Sequence, residues 1–196
     1  MSRTRWSQSV RIIGGIWAEQ RLTSPGQRVR PTHEDVRGRW LDFLTPFLSE
    51  ARVLDLFAGS GSLGLEALSR GAAAADFVDN SKDALHALKA NVAARRLRPI
   101  PKGKKPTSRY KSARIFKRDA IPFSQRLSEG AYDIAFADPP YGSRKLDRIL
   151  ERWFEVPFAP ILGIEHSPEH DVPMGAQRFD FDASVVTIYR IQDSDG

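Results

Sequence analysis

Residues 52–72 read RVLDLFAGSGSLGLEALSRGA. A short apolar run ending at Phe57 meets a turn of Gly59, Ser60 and Gly61. Apolar residues then recur at helical spacing until Gly71 stops them. A buried strand that enters a helix through a tight glycine turn is the opening unit of a βαβ sheet. Gly59, Gly61 and Gly64 fit G-x-G-x-x-G, a spacing that lets backbone N–H groups at a helix N-terminus approach a ligand. Asp79 stands twenty residues after Gly59, where a carboxylate accepts from both hydroxyls of a ribose. Asp55 lies four residues before Gly59. A carboxylate so close to the loop repels a pyrophosphate and favours a cationic nucleoside. S-adenosylmethionine carries an ammonium and a sulfonium, whereas NAD carries two phosphates.

Working outward, the same alternation continues in both directions. Downstream, ADFVDN (75–80), RIFKRD (114–119), YDIAFAD (132–138) and APILGIEHS (159–167) read as strands. Between them SKDALHALKANVAARRL (81–97, capped by Ser81), IPFSQRL (121–127) and SRKLDRILERWF (143–154) read as helices. QRFDFD (177–182) and SVVTIYRI (184–191) form a closing hairpin. Upstream, RIIGG (11–15) and QRL (20–22) suggest a small hairpin. A helix then starts after Thr32 and stops near Pro46, with Val36, Trp40, Phe43, Leu44 and Phe47 on its apolar face. The fold class is α/β, a mainly parallel sheet covered on both faces, and ligands in such sheets bind beyond the C-terminal strand ends. Residues 1–31 form a basic N-terminal arm, and residues 32–196 form the main domain, with a basic loop at about 96–112.

Composition narrows the partners. The chain has 196 residues, 41% of them hydrophobic, no cysteine, no apolar run long enough to span a membrane and no signal peptide, so a cytoplasmic monomer is expected. Net charge is +6, and it is segregated. Residues 1–33 hold six arginines and one acid, and residues 92–118 hold eleven Lys or Arg and no acid. Segregated positive charge marks a polyanion binder, the competing reading being a solvated face and a loop. Arg11, Arg28, Arg30, Arg37, Lys102, Lys104 and Lys105 are the candidate nucleic-acid contacts. The four histidines read as structural or surface residues, and no metal is required.

The fourth strand ends in Asp138-Pro139-Pro140-Tyr141. Two prolines fix φ and remove donors, so nearby carbonyls stay rigid acceptors. With the Asp138 carboxylate they suit the two hydrogens of an exocyclic base amine, and Tyr141 offers a face on which the base stacks. Gripping both hydrogens localises the amine's lone pair for attack on a methyl group. Asp138 then stabilises the positive charge that develops on nitrogen. At the third strand end Asp119 either accepts from an adenine amino group, with Ala120 leaving room for the ring, or caps the helix that follows. The candidate cofactor residues are Asp55, Phe57, Ala58, Gly59, Gly61, Asp79, Asn80, Asp119 and Ala120.

RIIGG, the Arg30-Pro31-Thr32 turn, LEALSRGA, DPPY and IEHS together resemble the bacterial 16S ribosomal RNA guanine-N2 methyltransferase family, RsmD type. The resemblance runs from about Val10 to Arg190. It implies a Rossmann-like class I fold with a seven-stranded sheet, S-adenosylmethionine as donor, and a guanine amino group of small-subunit RNA as acceptor. Two departures stand out: Gly38 occupies the place of a family glutamate, and the loop from Arg95 to Ser112 is longer and more basic. The alternatives are a DNA adenine-N6 or cytosine-N4 methyltransferase, an NAD-dependent Rossmann oxidoreductase, and a binding module with a dead site.

Overall fold

The structure is a computed structural model that describes residues 10–24, 34–99, 106–107 and 109–191. Its elements are α1 (Glu34–Leu44), β1 (Arg52–Leu56), α2 (Ser62–Ser69), β2 (Ala74–Asp79), α3 (Lys82–Ala94), β3 (Ser112–Lys117), α4 (Ala120–Ser124), β4 (Ile134–Ala137), α5 (Lys145–Glu155), β5 (Ile161–His166), β6 (Gln177–Phe181) and β7 (Ser184–Arg190). The seven strands make one sheet in the order β3-β2-β1-β4-β5-β7-β6. The first five are parallel, and β7 runs antiparallel to both its neighbours, so the closing hairpin forms as expected.

Side chains along each strand alternate between two cores. Val53, Phe77, Ile134 and Phe136 point to the face covered by α1, α2 and α3. Leu54, Leu56, Val78, Ala135 and Ala137 point to the face covered by α4 and α5. Near-continuous burial of β1, β4 and β5 is what helices on both faces require. Trp40 of α1 is fully buried edge-on against Phe136, with ring centroids 5.4 Å apart. Gly163 in β5 makes room for that indole, because a Cβ there would sit 2.4 Å from Trp40 Nε1.

Two expectations are corrected here. Leu41, fully buried, belongs to the inner face of α1, while Phe43 is 38% exposed and meets Phe179 at the sheet's edge. The amino-terminal segment is not a pair of full strands. Arg11 and Arg21 form a single antiparallel bridge, extended by the Leu22 N–H donating to the Val10 carbonyl and the Ile12 N–H donating to that of Gln20. A 3-10 turn, Gly15–Trp17, closes it. Val10, Ile12 and Leu22 of this segment join the same core as α1 and α2. The Thr32 cap lies outside the described residues.

α2 is the element that holds the segment in place. The Glu66 carboxylate, fully buried, accepts from the Ile13 N–H at 2.8 Å and the Gly14 N–H at 2.7 Å. Arg70 Nε donates to Glu66 at 2.8 Å, and Arg37 Nε stands 3.7 Å from it. Ser69 completes the clasp, accepting from the Trp17 N–H and donating to the Gly14 carbonyl. Gly15 has φ +79°, and a Cβ on it would lie 2.1 Å from the Ser69 carbonyl oxygen. RIIGG and LEALSRGA are thus the two halves of one contact.

Candidate active site

The end of β1 is wound tightly. Phe57, a residue with a full side chain, has φ +62°, and Gly59 and Gly61 follow at +55° and +80°. Gly61 and Gly64 are small for packing reasons. A Cβ on Gly61 would stand 2.5 Å from Leu88 Cδ1, and one on Gly64 would stand 2.4 Å from Phe77 Cε1. Gly59 differs, since a Cβ there would meet nothing nearer than the Phe57 carbonyl oxygen at 4.0 Å. The loop therefore presents a bare, open backbone at Gly59, as a ligand lying across it needs.

Three carboxylates surround this loop. Asp55 is buried and accepts from the Gly64 N–H at 2.9 Å. Burial pushes its carboxyl up to about 8, against the pull of that N–H and with some help from the charge of Asp79. Asp79, at the end of β2, accepts from the Gly59 N–H at 2.9 Å and the Ser81 N–H at 2.8 Å, which fixes its orientation and ties the loop to α3. Asp119 caps α4 through the Ile121 N–H at 2.9 Å, while its other oxygen faces Asn80 Nδ2 at 3.4 Å. The helix-capping reading of Asp119 is therefore realised, and Ala120 is buried directly after it.

β4 lies beside β1, with Leu56 paired to Ala137, so Phe57 and Asp138 leave the sheet side by side. Asp138 is half-buried, Pro139 buried and Pro140 exposed. The Pro140 carbonyl already accepts from Ser143 Oγ at 2.7 Å, and Gly142 turns the chain with φ +72°. Tyr141 is 42% exposed, and its hydroxyl donates to Glu165 Oε1 at 3.1 Å. Burial, the Glu165 charge and the Asp138 charge, in that order, push the Tyr141 hydroxyl well above its usual pKa, so it remains a donor. A pocket opens between this loop and the end of β5.

The structure brings Asp55, Phe57, Ala58, Gly59, Gly61, Asp79, Asn80, Asp119, Ala120 and the Asp138–Tyr141 loop to one edge of the sheet. It does not do the same for the expected RNA contacts. Arg37 is 0% exposed and faces Glu66, and it also donates to the Arg11 carbonyl, so its guanidinium is built into the core instead of facing a phosphate. Arg11 is half-exposed but paired with Glu19 at 2.7 Å and Glu34 at 3.0 Å. Arg28, Arg30, Lys102, Lys104 and Lys105 lie outside the described residues. Three neighbours of the site escaped the sequence reading. Glu165 supports Tyr141. Lys145 places its ammonium 5.7 Å from the centre of the Phe57 ring. Asn91 of α3 joins Thr23 to the Ser60 carbonyl of the glycine loop. IEHS was a signal for the first, and no sequence signal exists for the other two, whose partners are remote in the chain.

Comparison with known proteins agrees with this geometry. Escherichia coli K12 "Ribosomal RNA small subunit methyltransferase D" is 36% identical over 147 residues, 74% of this chain and 66% of its own length. "Putative rRNA methyltransferase YlbH" of Bacillus subtilis is 33% identical over 144 residues, 72% of each chain. The solved structure of the putative methyltransferase yhhF from Escherichia coli superimposes with a TM-score of 0.74 at 29% identity, covering 93% of this chain and 97% of that one. The fold is thus the Rossmann-like methyltransferase fold. A family model described as "Conserved hypothetical protein 95" matches residues 10–156, and the chain belongs to that family, the RsmD type its motifs resemble.

Proposed function

We propose that the protein transfers a methyl group from S-adenosylmethionine to the exocyclic N2 amine of a guanine in 16S ribosomal RNA, acting as a cytoplasmic monomer on RNA or on the assembling small subunit. The observation that carries this reading is the side-by-side exit of the glycine loop and the Asp138–Tyr141 loop from paired strands. One edge can hold a donor and the other an acceptor amine. The relatives named as ribosomal RNA methyltransferases support the choice of RNA.

When bound, S-adenosylmethionine supplies a methyl group activated on a sulfonium. Asp79, held by two backbone N–H groups, would accept from the ribose hydroxyls, and Gly59 leaves the room. Asn80, Asp119 and Ala120 would face the adenine, and Asp55 would lie under the cationic end. Asp138 and the Pro139 segment hold the two amine hydrogens, so the nitrogen lone pair points at the donor. Asp138 stabilises the charge that forms on nitrogen, and the proton leaves to Asp138 or to water. Tyr141 stacks on the base, which must first be unstacked from the folded RNA. Phosphates would be held by the basic arm of residues 1–31 and the loop at about 96–112, where positive charge is concentrated.

Mass mapping of ribosomal RNA from cells with the gene deleted and then restored tests the reading. One N2-methylguanosine is expected to vanish and return. An unchanged modification map would overturn it.

A further inference from the structure

The sheet order divides the site in two. The glycine loop after β1 and Asp79 after β2 lie on one side of β4, and Glu165 at the end of β5 lies on the other. If the donor occupies the first side, the base enters on the second. The pocket there is lined by Pro139, Pro140, Tyr141, Ser143, Glu165 and His170, among others. Glu165 lines it, and Asp138 comes immediately before Pro139 on its wall. Glu165 accepts the Tyr141 hydroxyl, and the charges of Glu165 and Asp138 both act on that hydroxyl. The bond from Tyr141 fixes the rotation of a carboxylate only 6% exposed. Glu165 also attracts the buried Arg37, after Glu66 and Glu34, and the attraction is mutual.

Two carboxylates offer two acceptor groups, one on the pocket wall and one at the head of the loop that lines it. Adenine presents an amine next to a ring nitrogen that accepts, and so does cytosine. Among the four RNA bases only guanine presents an amine, N2, next to a ring N–H, N1. We propose that Glu165 is the residue that selects guanine, accepting the N1–H while Asp138 holds the N2 amine. The inference rests on the proposed methyl transfer and adds to it a specificity-determining residue. Adenine or cytosine in the same pocket would set a lone pair against the Glu165 carboxylate.

The test uses 2-aminopurine, which keeps the 2-amino group but has a ring N1 without hydrogen. Small subunits are reconstituted on RNA carrying guanine or 2-aminopurine at the mapped nucleotide, and kcat/KM is measured for wild type, Glu165→Gln and Tyr141→Phe. Wild type should favour guanine by on the order of a hundredfold, because a buried acceptor is otherwise left facing a lone pair. In Glu165→Gln the amide can donate to the N1 of 2-aminopurine, and the preference should shrink to within about tenfold. Tyr141→Phe should lower both rates and keep the preference. If Glu165→Gln is too slow to assay, the ratio of RNA affinities with S-adenosylhomocysteine present serves in place of kcat/KM. A guanine preference unchanged in Glu165→Gln would show that Glu165 merely braces Tyr141, and would overturn the proposal. Failure of wild type to methylate guanine at all would remove the proposed function, and the selection of guanine with it.

Discussion

Asp55, one residue before the end of β1, is a carboxyl group shut away from solvent, and its titration is where single-residue chemistry is open to measurement. Its unfolded value is 3.8, and burial raises it to about 8 in the folded chain. Between those values the folded protein keeps a proton that the unfolded chain has lost. The Asp55 contribution is therefore present below 3.8 and is lost as pH rises through about 8. Urea midpoints of the ligand-free protein should fall from about pH 5 to about pH 8, and Asp55→Asn should flatten that fall. A cationic ligand reverses the preference, because it favours the ionised carboxyl. S-adenosylmethionine should bind more tightly as pH rises toward 8 and release a proton, seen in calorimetry as a heat that depends on the buffer. Thermal shift should respond to S-adenosylmethionine and not to NAD. Its place beside the glycine loop was legible from its spacing to Gly59. Its hydrogen bond to Gly64 was not, because that contact exists only once α2 is wound.

Among the elements, α2 has two tasks at its two ends. Its first turn meets the glycine loop, and its last turn clasps the amino-terminal segment through Glu66 and Ser69. Glu66→Ala would strand two part-buried N–H groups and leave Arg37 and Arg70 without their shared carboxylate. We expect a loss of about 3–5 kcal/mol in denaturant unfolding, with Glu66→Gln losing less. Gly15→Ala should cost on the order of 2 kcal/mol or more, since its Cβ has no room and its φ is positive. A neutral result for either would mean that the segment is not held by this clasp. Strands and helices were legible because β1 and β4 are short apolar runs bounded by turns and period 3.6 is written in α3 and α5. The inward turn of Leu41 in place of Phe43 was not, because both fit a helical stripe and only the neighbouring Phe179 separates them. Nor could Arg37 be recognised as a core residue, since an arginine on a helix rich in charges reads as a surface residue until Glu66 stands opposite it.

For the whole molecule, the alternation of elements told the class and the family resemblance implied seven strands, while the order β3-β2-β1-β4-β5-β7-β6 came only with the structure. No local pattern states which strands pair. That the candidate residues gather at the strand ends was nonetheless legible, because parallel sheets collect the loops after their strands on one side. Positive charge is a property at this scale as well. Replacing Lys102, Lys104 and Lys105 by Ala should weaken RNA binding uniformly across sequences. It should also reduce the slope of log affinity against log salt by up to about 2–3. An unchanged slope would make the loop a linker. The measurement that reaches the centre of the account is single-turnover methylation of small-subunit RNA by wild type and Asp138→Ala, read by mass spectrometry beside direct titration of S-adenosylmethionine. We predict N2-methylguanosine from wild type, a loss of about a thousandfold or more in the variant, and cofactor affinity within about threefold. Equal rates of methylation in the two proteins would contradict it.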